Sequence, residues 1–159
     1  METGEQVASA VNFAKYPPLG RRGAGGDGRT GYERLTAAQA VEISNAETMV
    51  ICQVETQKGL DNLEEMAAVP GLDVICVGPQ DLSISLGIPG DFGHPAFHDA
   101  MKRVATVCAA HGVASGMVER EAADFKRWYD LGMRFLCCGT DAHFLAKGAA
   151  ESVKTIKGF

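Results

Sequence analysis

Two carboxylates in the sequence stand directly after short apolar runs. Glu55 follows residues 49–54 (MVICQV) in the order Gln53-Val54-Glu55-Thr56, and Asp81 follows residues 73–78 (DVICVG) in the order Gly78-Pro79-Gln80-Asp81. In parallel β/α proteins the carboxyl ends of the strands open to one face, where ligands bind. If the two runs are neighbouring strands, roughly 5 Å apart, both acids project from adjacent strand ends toward one point. Two hard oxygen donors with no histidine beside them suit Mg²⁺ or Mn²⁺ better than zinc, with water and substrate oxygens completing the shell. The spacing leaves a plainer reading open. Asp81 then caps the turn over residues 81–85, and Glu55 is a surface acid ahead of a helix starting near Gln57.

Other reactive side chains are less organised. His94 and His98 lie four apart at a helix start, but there is no HExxH glutamate and no third ligand nearby, so they read as an exposed helix entrance. His111 ends the same helix, where a cation suits the dipole. His143 opens the last helix without an identifiable partner. The five cysteines, Cys52, Cys76, Cys108, Cys137 and Cys138, form no CxxC pair and lie mostly in apolar runs, which predicts buried, reduced thiols in a cytoplasmic protein. Residues 16–31 (YPPLGRRGAGGDGRTG) are too rich in glycine and proline for helix or central strand, and lack the G-K-[ST] ending of a phosphate loop. They predict either an irregular loop or one held at the mouth of a site, with Arg21 or Arg22 offering a fork to a carboxylate.

The elements that must position these groups follow from the apolar pattern. Residues 49–54, 73–78, 112–118 and 134–139 read as strands, and none alternates strictly, as expected for strands buried on both faces. Helical spacing follows each one, over 59–69, 95–110, 119–131 and 142–156, with Pro95 in a first turn and Trp128 on an apolar stripe. Repeated strand–helix units predict parallel βα architecture with right-handed crossovers. No GxGxxG follows the first strand, so a dinucleotide fold has no support. Four units make half of a (β/α)₈ barrel, whose full form needs about 250 residues.

Composition narrows the class. The 159 residues are 46% hydrophobic and 22% charged, as in an ordinary globular domain, and the net charge is −5. That balance argues against nucleic acid and against an anionic membrane surface. No run approaches the ~20 apolar residues of a membrane helix.

Taken in order, YPPLGRRGAGG, CQVET, VGPQDLS-x-x-LG-x-P-G and GHP resemble the HpcH/HpaI aldolase family over essentially the whole chain. The resemblance implies a class II carbon–carbon lyase that cleaves a 4-hydroxy-2-oxo acid to pyruvate and an aldehyde through a metal-stabilised enolate. It implies that Glu55 and Asp81 ligate the divalent cation, and that Gln53, Gly78, Pro79 and Gln80 contact the pyruvate unit. It assigns no catalytic residue here. The family's histidine acid/base lies in a D-x-E-H-like stretch, which is absent from these 159 residues. By resemblance the chain is a single partial barrel domain over residues 1–159, containing strands five to eight and a C-terminal helix, without that histidine and the substrate arginine. A homo-oligomer is expected for the full domain. The alternative is a non-catalytic half barrel that assembles with itself or with a separate N-terminal half.

Overall fold

The short runs rich in Val, Ile, Cys and Phe do form strands, since branched and aromatic side chains suit a pleated, half-buried surface. A computed structural model describes residues 1–25 and 35–159. Its strands are β1 (Ile51–Val54), β2 (Val74–Val77), β3 (Ala114–Glu119) and β4 (Phe135–Cys138). They pair in parallel in the order β1-β2-β3-β4, with Val54 opposite Val77, Val77 opposite Met117 and Met117 opposite Leu136. Their carboxyl ends therefore open to one side, with β3 and β4 running two residues past the ends of β1 and β2. This is the α/β architecture expected, four parallel strands of a partial TIM-barrel-like fold.

Two helices precede the sheet, α1 (Gly4–Ala14) and α2 (Ala37–Glu47), and neither was foreseen. Each opens on a threonine cap, Thr3 and Thr36, the second in a full capping box with Gln39. Between β1 and β2 the expected helix over 59–69 is two short ones, α3 (Gln57–Asp61) and α4 (Leu63–Ala67), broken at Asn62. The Asn62 side-chain amide there donates to the Glu2 carbonyl. After β2 come α5 (Pro79–Ser85), read from sequence as a turn, and α6 (Pro95–Ala110), whose bounds match the expectation. Gly112 takes φ 69° just past α6, which moves the start of β3 to Ala114.

The segment read as helix over 119–131 is split. Glu119 still belongs to β3, a 3₁₀ turn covers Ala122–Asp124, and helix α7 is only Phe125–Asp130. The reason is side-chain chemistry. Glu119 Oε1 accepts from Trp128 Nε1 (2.8 Å) and from Arg127 (3.1 Å), so the strand end is held under the helix. The chain closes with β4 and α8 (Asp141–Ile156).

One face of the sheet carries the core. Cys52, Val54, Ile75, Val77 and Met117 pack against Leu63, Met66, Phe97, Met101 and Val104 of α4 and α6. Trp128 is buried beside Phe97 (ring centroids 6.0 Å), as its position on the apolar stripe predicts. Burial on both faces holds for β2 and for the middle of β3, Ser115 to Met117. β1 alternates, with Cys52 and Val54 buried and Ile51 and Gln53 exposed, and the second half of β4 is exposed. The helix-packed core therefore covers one face, while Gln53, Cys76, Gly116 and Phe135 form a row on the other. For the same reason the thiols divide. Cys52, Cys76 and Cys108 are buried, but Cys137 and Cys138 are exposed, contrary to the expectation of five buried thiols; all five are free. Among the described residues no helix is long and apolar enough to cross a membrane.

Candidate active site

The site is built where β1 and β2 end. The Gly78 N–H donates to the Val54 carbonyl (3.0 Å), so the residue after β2 lies beside Glu55, the residue after β1. Gly78 is also the N-cap of α5, with Pro79 in its first position, where the missing N–H costs nothing. Glycine is required for a steric reason. A Cβ at position 78 would lie 2.9 Å from Glu55 Oε2 and would overlap Gln53 Nε2. The two side chains fill that space, and Gln53 Nε2 donates to Glu55 Oε2 (2.8 Å). Gln53, Glu55 and Gly78 are thus one contact cluster.

Asp81 stands in the first turn of α5, exposed, with no hydrogen bond or ion pair to a described residue. It does not cap the helix, since α5 has no side-chain cap. Nor does Glu55 open α3, which is capped by Thr56. The plainer reading of Asp81 thus loses its capping role, whereas Glu55 does stand just ahead of a helix that starts at Gln57, as its plainer reading expects.

Asp81, Gln53, Gly78, Pro79 and Gln80 line one cavity of about 760 Å³. Glu55 faces a separate cavity of about 580 Å³, together with Glu2 and Thr56. Among the described residues no group of three His, Cys, Asp or Glu side chains forms a metal-ligand cluster, so the protein donors on offer here are the two carboxylates. That donor set fits a hard cation. Among the described residues neither Asp81 oxygen has a hydrogen-bond or ion-pair partner, and only Oε2 of Glu55 is engaged, by Gln53.

The far wall of the larger cavity was not foreseen. It comes from the ends of β3 and β4 and includes Arg120, Glu121, Arg127 and His143. Arg127 is paired with Glu119 and lies over the Trp128 ring at 4.4 Å. His143 has a neighbour after all, since its Nε2 is 3.5 Å from Glu121 Oε1. Glu121 also accepts from Lys147 (2.7 Å), and Lys147 beside it holds its carboxyl below the usual carboxylate range. The strand-end rule that singles out Glu55 and Asp81 applies equally to His143, five residues past β4, and is the sequence signal for it. Its pairing with Glu121 spans two strand ends and has no local signature.

The other candidates lie elsewhere. His94 is the N-cap of α6, its Nδ1 accepting from the Ala96 N–H, while His98 is exposed near Trp128. The His111 ring hydrogen-bonds the Val107 carbonyl. Arg21 and Arg22 lie over the rings of Phe13 (5.0 Å) and Tyr16 (5.4 Å) and do not line the larger cavity. Residues 16–25 carry no regular element, and the rest of the glycine-rich segment, 26–31, lies outside the described residues.

Comparison with known proteins gives a consistent result. A hydroxypyruvate/pyruvate aldolase of Chromohalobacter salexigens is 38% identical, covering 99% of this chain and 62% of the relative. A 5-keto-4-deoxy-D-glucarate aldolase of Shigella sonnei is 34% identical, covering 99% and 61%. The crystal structure of an HpcH/HpaI aldolase from Desulfitobacterium hafniense DCB-2 superposes with a TM-score of 0.91 at 32% identity, covering 100% of this chain and 62% of that one. The chain therefore spans about three fifths of the length of these relatives. With residues 1–148 matching the family model described as HpcH/HpaI aldolase/citrate lyase, the chain belongs to that family.

Proposed function

We propose that the protein is a divalent-metal-dependent carbon–carbon lyase of the pyruvate-aldolase type, cleaving a 4-hydroxy-2-oxo acid to pyruvate and an aldehyde. The observation that carries this reading is the Gln53–Glu55–Gly78 contact at two paired strand ends, with Asp81 unpartnered one helical turn away. Glu55 and Asp81 would hold Mg²⁺ or Mn²⁺. Such a cation, when bound, supplies Lewis-acid stabilisation of negative charge on the oxo-acid oxygens. Gln53 orients Glu55 through its amide, and Gly78 leaves the space both need. Pro79 fixes the start of α5 and so the direction of Asp81, and Gln80 lends an exposed amide to the wall that meets the pyruvate unit. The names of the two relatives, both aldolases, support this substrate class.

Proton exchange at the methyl group of pyruvate tests the reading directly. The protein is incubated with pyruvate and Mg²⁺ in D₂O and followed by NMR. Mg²⁺-dependent loss of the methyl signal is expected, abolished by Glu55→Ala. Exchange at an unchanged rate in that variant rules the proposal out.

A second reading has its own observation. Phe144, Leu145, Val153 and Ile156 of α8 are exposed, and α8 buries no residue. On this reading the chain is a non-catalytic part of an assembly, formed with a second copy or with a separate N-terminal half. A stable monomer in sedimentation contradicts assembly with itself.

A further inference from the structure

Three consecutive residues at the end of β3, Glu119-Arg120-Glu121, line the larger cavity, and their charges are committed unequally. Glu119 is held under α7, where its Oε1 accepts from Trp128 Nε1 (2.8 Å) and from Arg127 (3.1 Å). Glu121 meets α8, where Oε2 accepts from Lys147 (2.7 Å) and Oε1 lies 3.5 Å from His143 Nε2. Arg120 stands between them, and its guanidinium makes no hydrogen bond, ion pair or ring contact with a described residue. Its backbone is fixed all the same. The Gly139 N–H donates to the Glu119 carbonyl (2.7 Å), and Cys138 Sγ lies 3.9 Å from the Arg120 carbonyl.

The strand register says where this cation stands. Val77 pairs with Met117, so Val118 is level with Gly78. Arg120 follows two residues on, roughly 7 Å further in the strand direction. Phe92 and Val118 give the same cavity an apolar stretch. A molecule whose oxo-acid end lies at Gln53, Gly78 and Asp81 therefore has a short apolar surface and an unpaired guanidinium within its reach. The charges on the wall then set the ligand's charge. Glu119 is offset by Arg127, Glu121 by Lys147, and Asp81 by the cation proposed to bind there. Asp124 lines the same wall without an ion pair to a described residue. One guanidinium balances one carboxylate, whereas a phosphate dianion would leave a negative charge close to Asp124.

We infer that Arg120 is the specificity-determining residue of this cavity, its guanidinium holding a terminal carboxylate on the aldehyde half of the substrate. The inference rests on the aldolase reading above. A guanidinium presents two parallel N–H groups that match the two oxygens of a carboxylate, so the contact fixes orientation as well as charge. The aldehyde is then a short chain with the reacting carbonyl at one end and an acid at the other. Glu119 serves as a positioning residue, because its ties to Trp128 and Arg127 hold the strand end from which Arg120 projects.

The test uses the whole chain with Mg²⁺ and pyruvate, and reads addition to two pairs of aldehydes. One pair is 5-oxopentanoate and pentanal, which differ by a carboxylate for a methyl group. The other is glyceraldehyde 3-phosphate and glyceraldehyde. The quantity read is the ratio of kcat/KM within a pair on one preparation, from which any loss of folded protein cancels. Wild type is expected to favour 5-oxopentanoate over pentanal about tenfold, the low end for a charge-assisted pair because Arg120 is exposed. Arg120→Gln is expected to bring the ratio to about 1, chiefly through KM, since the contact lies away from the reacting atoms. Arg120→Lys keeps the charge without the fork and should retain part of the preference. A wild-type ratio near 1, or one that survives in Arg120→Gln, makes Arg120 a solvated surface residue and overturns the assignment while the aldolase reading stands. A larger Arg120-dependent ratio in the phosphate pair overturns the carboxylate. If wild type adds pyruvate to none of the four, the Arg120 Nε–H signal, assigned by its loss in Arg120→Gln, decides by NMR. A shift on titration with 5-oxopentanoate and not with pentanal supports the assignment, and a shift with both or with neither overturns it. Absence of Mg²⁺-dependent pyruvate exchange in the same samples brings down the aldolase reading separately.

Discussion

At the residue scale, Gly78 and Asp81 separate two properties that usually fail together. Gly78 holds stability and site geometry at once, because Glu55 and Gln53 occupy the volume a Cβ would take. Gly78→Ala is expected to cost about 1–3 kcal/mol through overpacking, seen as a lower urea midpoint, and to abolish Mg²⁺-dependent pyruvate exchange because Glu55 is displaced. Asp81 has the opposite profile. Among the described residues it makes no hydrogen bond or ion pair that would be lost, so Asp81→Asn is expected to leave unfolding free energy within about 0.5 kcal/mol of wild type and still abolish exchange. A large stability loss in Asp81→Asn would mean that the carboxylate has a structural role after all. Both residues could be singled out in the sequence, since each sits at a strand end beside a turn signal. What the sequence did not reveal is that Gly78 serves the side chains of β1, because that contact spans two strands.

At the scale of elements, the segment before the sheet is tied to it through one buried cation. Lys15, just past α1, is 5% exposed, and its Nζ donates to the carbonyls of Asn45 (2.9 Å) and Thr48 at the end of α2. It also lies 3.9 Å from Asp73, whose carboxylate accepts the Val50 N–H just before β1. Asn45 completes the tie with two hydrogen bonds to the Tyr16 backbone. Lys15→Met keeps the length and removes the donors, leaving two carbonyls without their partner. A loss of about 2–6 kcal/mol follows at roughly 1–3 kcal/mol per unsatisfied group, measured by urea denaturation. A loss below about 0.5 kcal/mol would mean that water replaces the ammonium. The sheet and α6 were legible because period and burial agree there, and α6 starts on a proline where a helix should. The helix α2 was not, since it buries only Ser44 and is held by backbone contacts from Lys15 and Asn45, which leave no apolar stripe to read. In the same way α5 was hidden by the Gly78-Pro79 turn signal that in fact starts it.

For the molecule as a whole, the uneven covering of the sheet decides how the thiols behave. Burial pushes the Cys76 thiol up to about 11 and the Cys108 thiol up to about 12, from an ordinary 9.0. As pH rises past 9 the unfolded chain ionises first, so their contribution to stability is full below pH 9 and is lost as pH climbs toward 11 and 12. Urea midpoints measured upward from pH 8 should fall across that window, and replacing both thiols by alanine should flatten the decline. Cys137 and Cys138 report on the other half of the problem. They are exposed at the end of edge strand β4, next to a helix whose Phe144, Leu145 and Ile156 are uncovered. An edge strand beside an apolar helix face is a surface prone to pairing. In dilute protein, alkylation at neutral pH is expected to modify these two quickly and the three buried thiols only on unfolding. If α8 and β4 meet a second copy, raising the protein concentration should slow alkylation of Cys137 or Cys138 in step with the dimer fraction seen by sedimentation. Leu145→Glu should then restore the fast rate. Fast alkylation of both at every concentration, together with a sedimenting dimer, would place the contact on another face and leave α8 uncovered in the assembly.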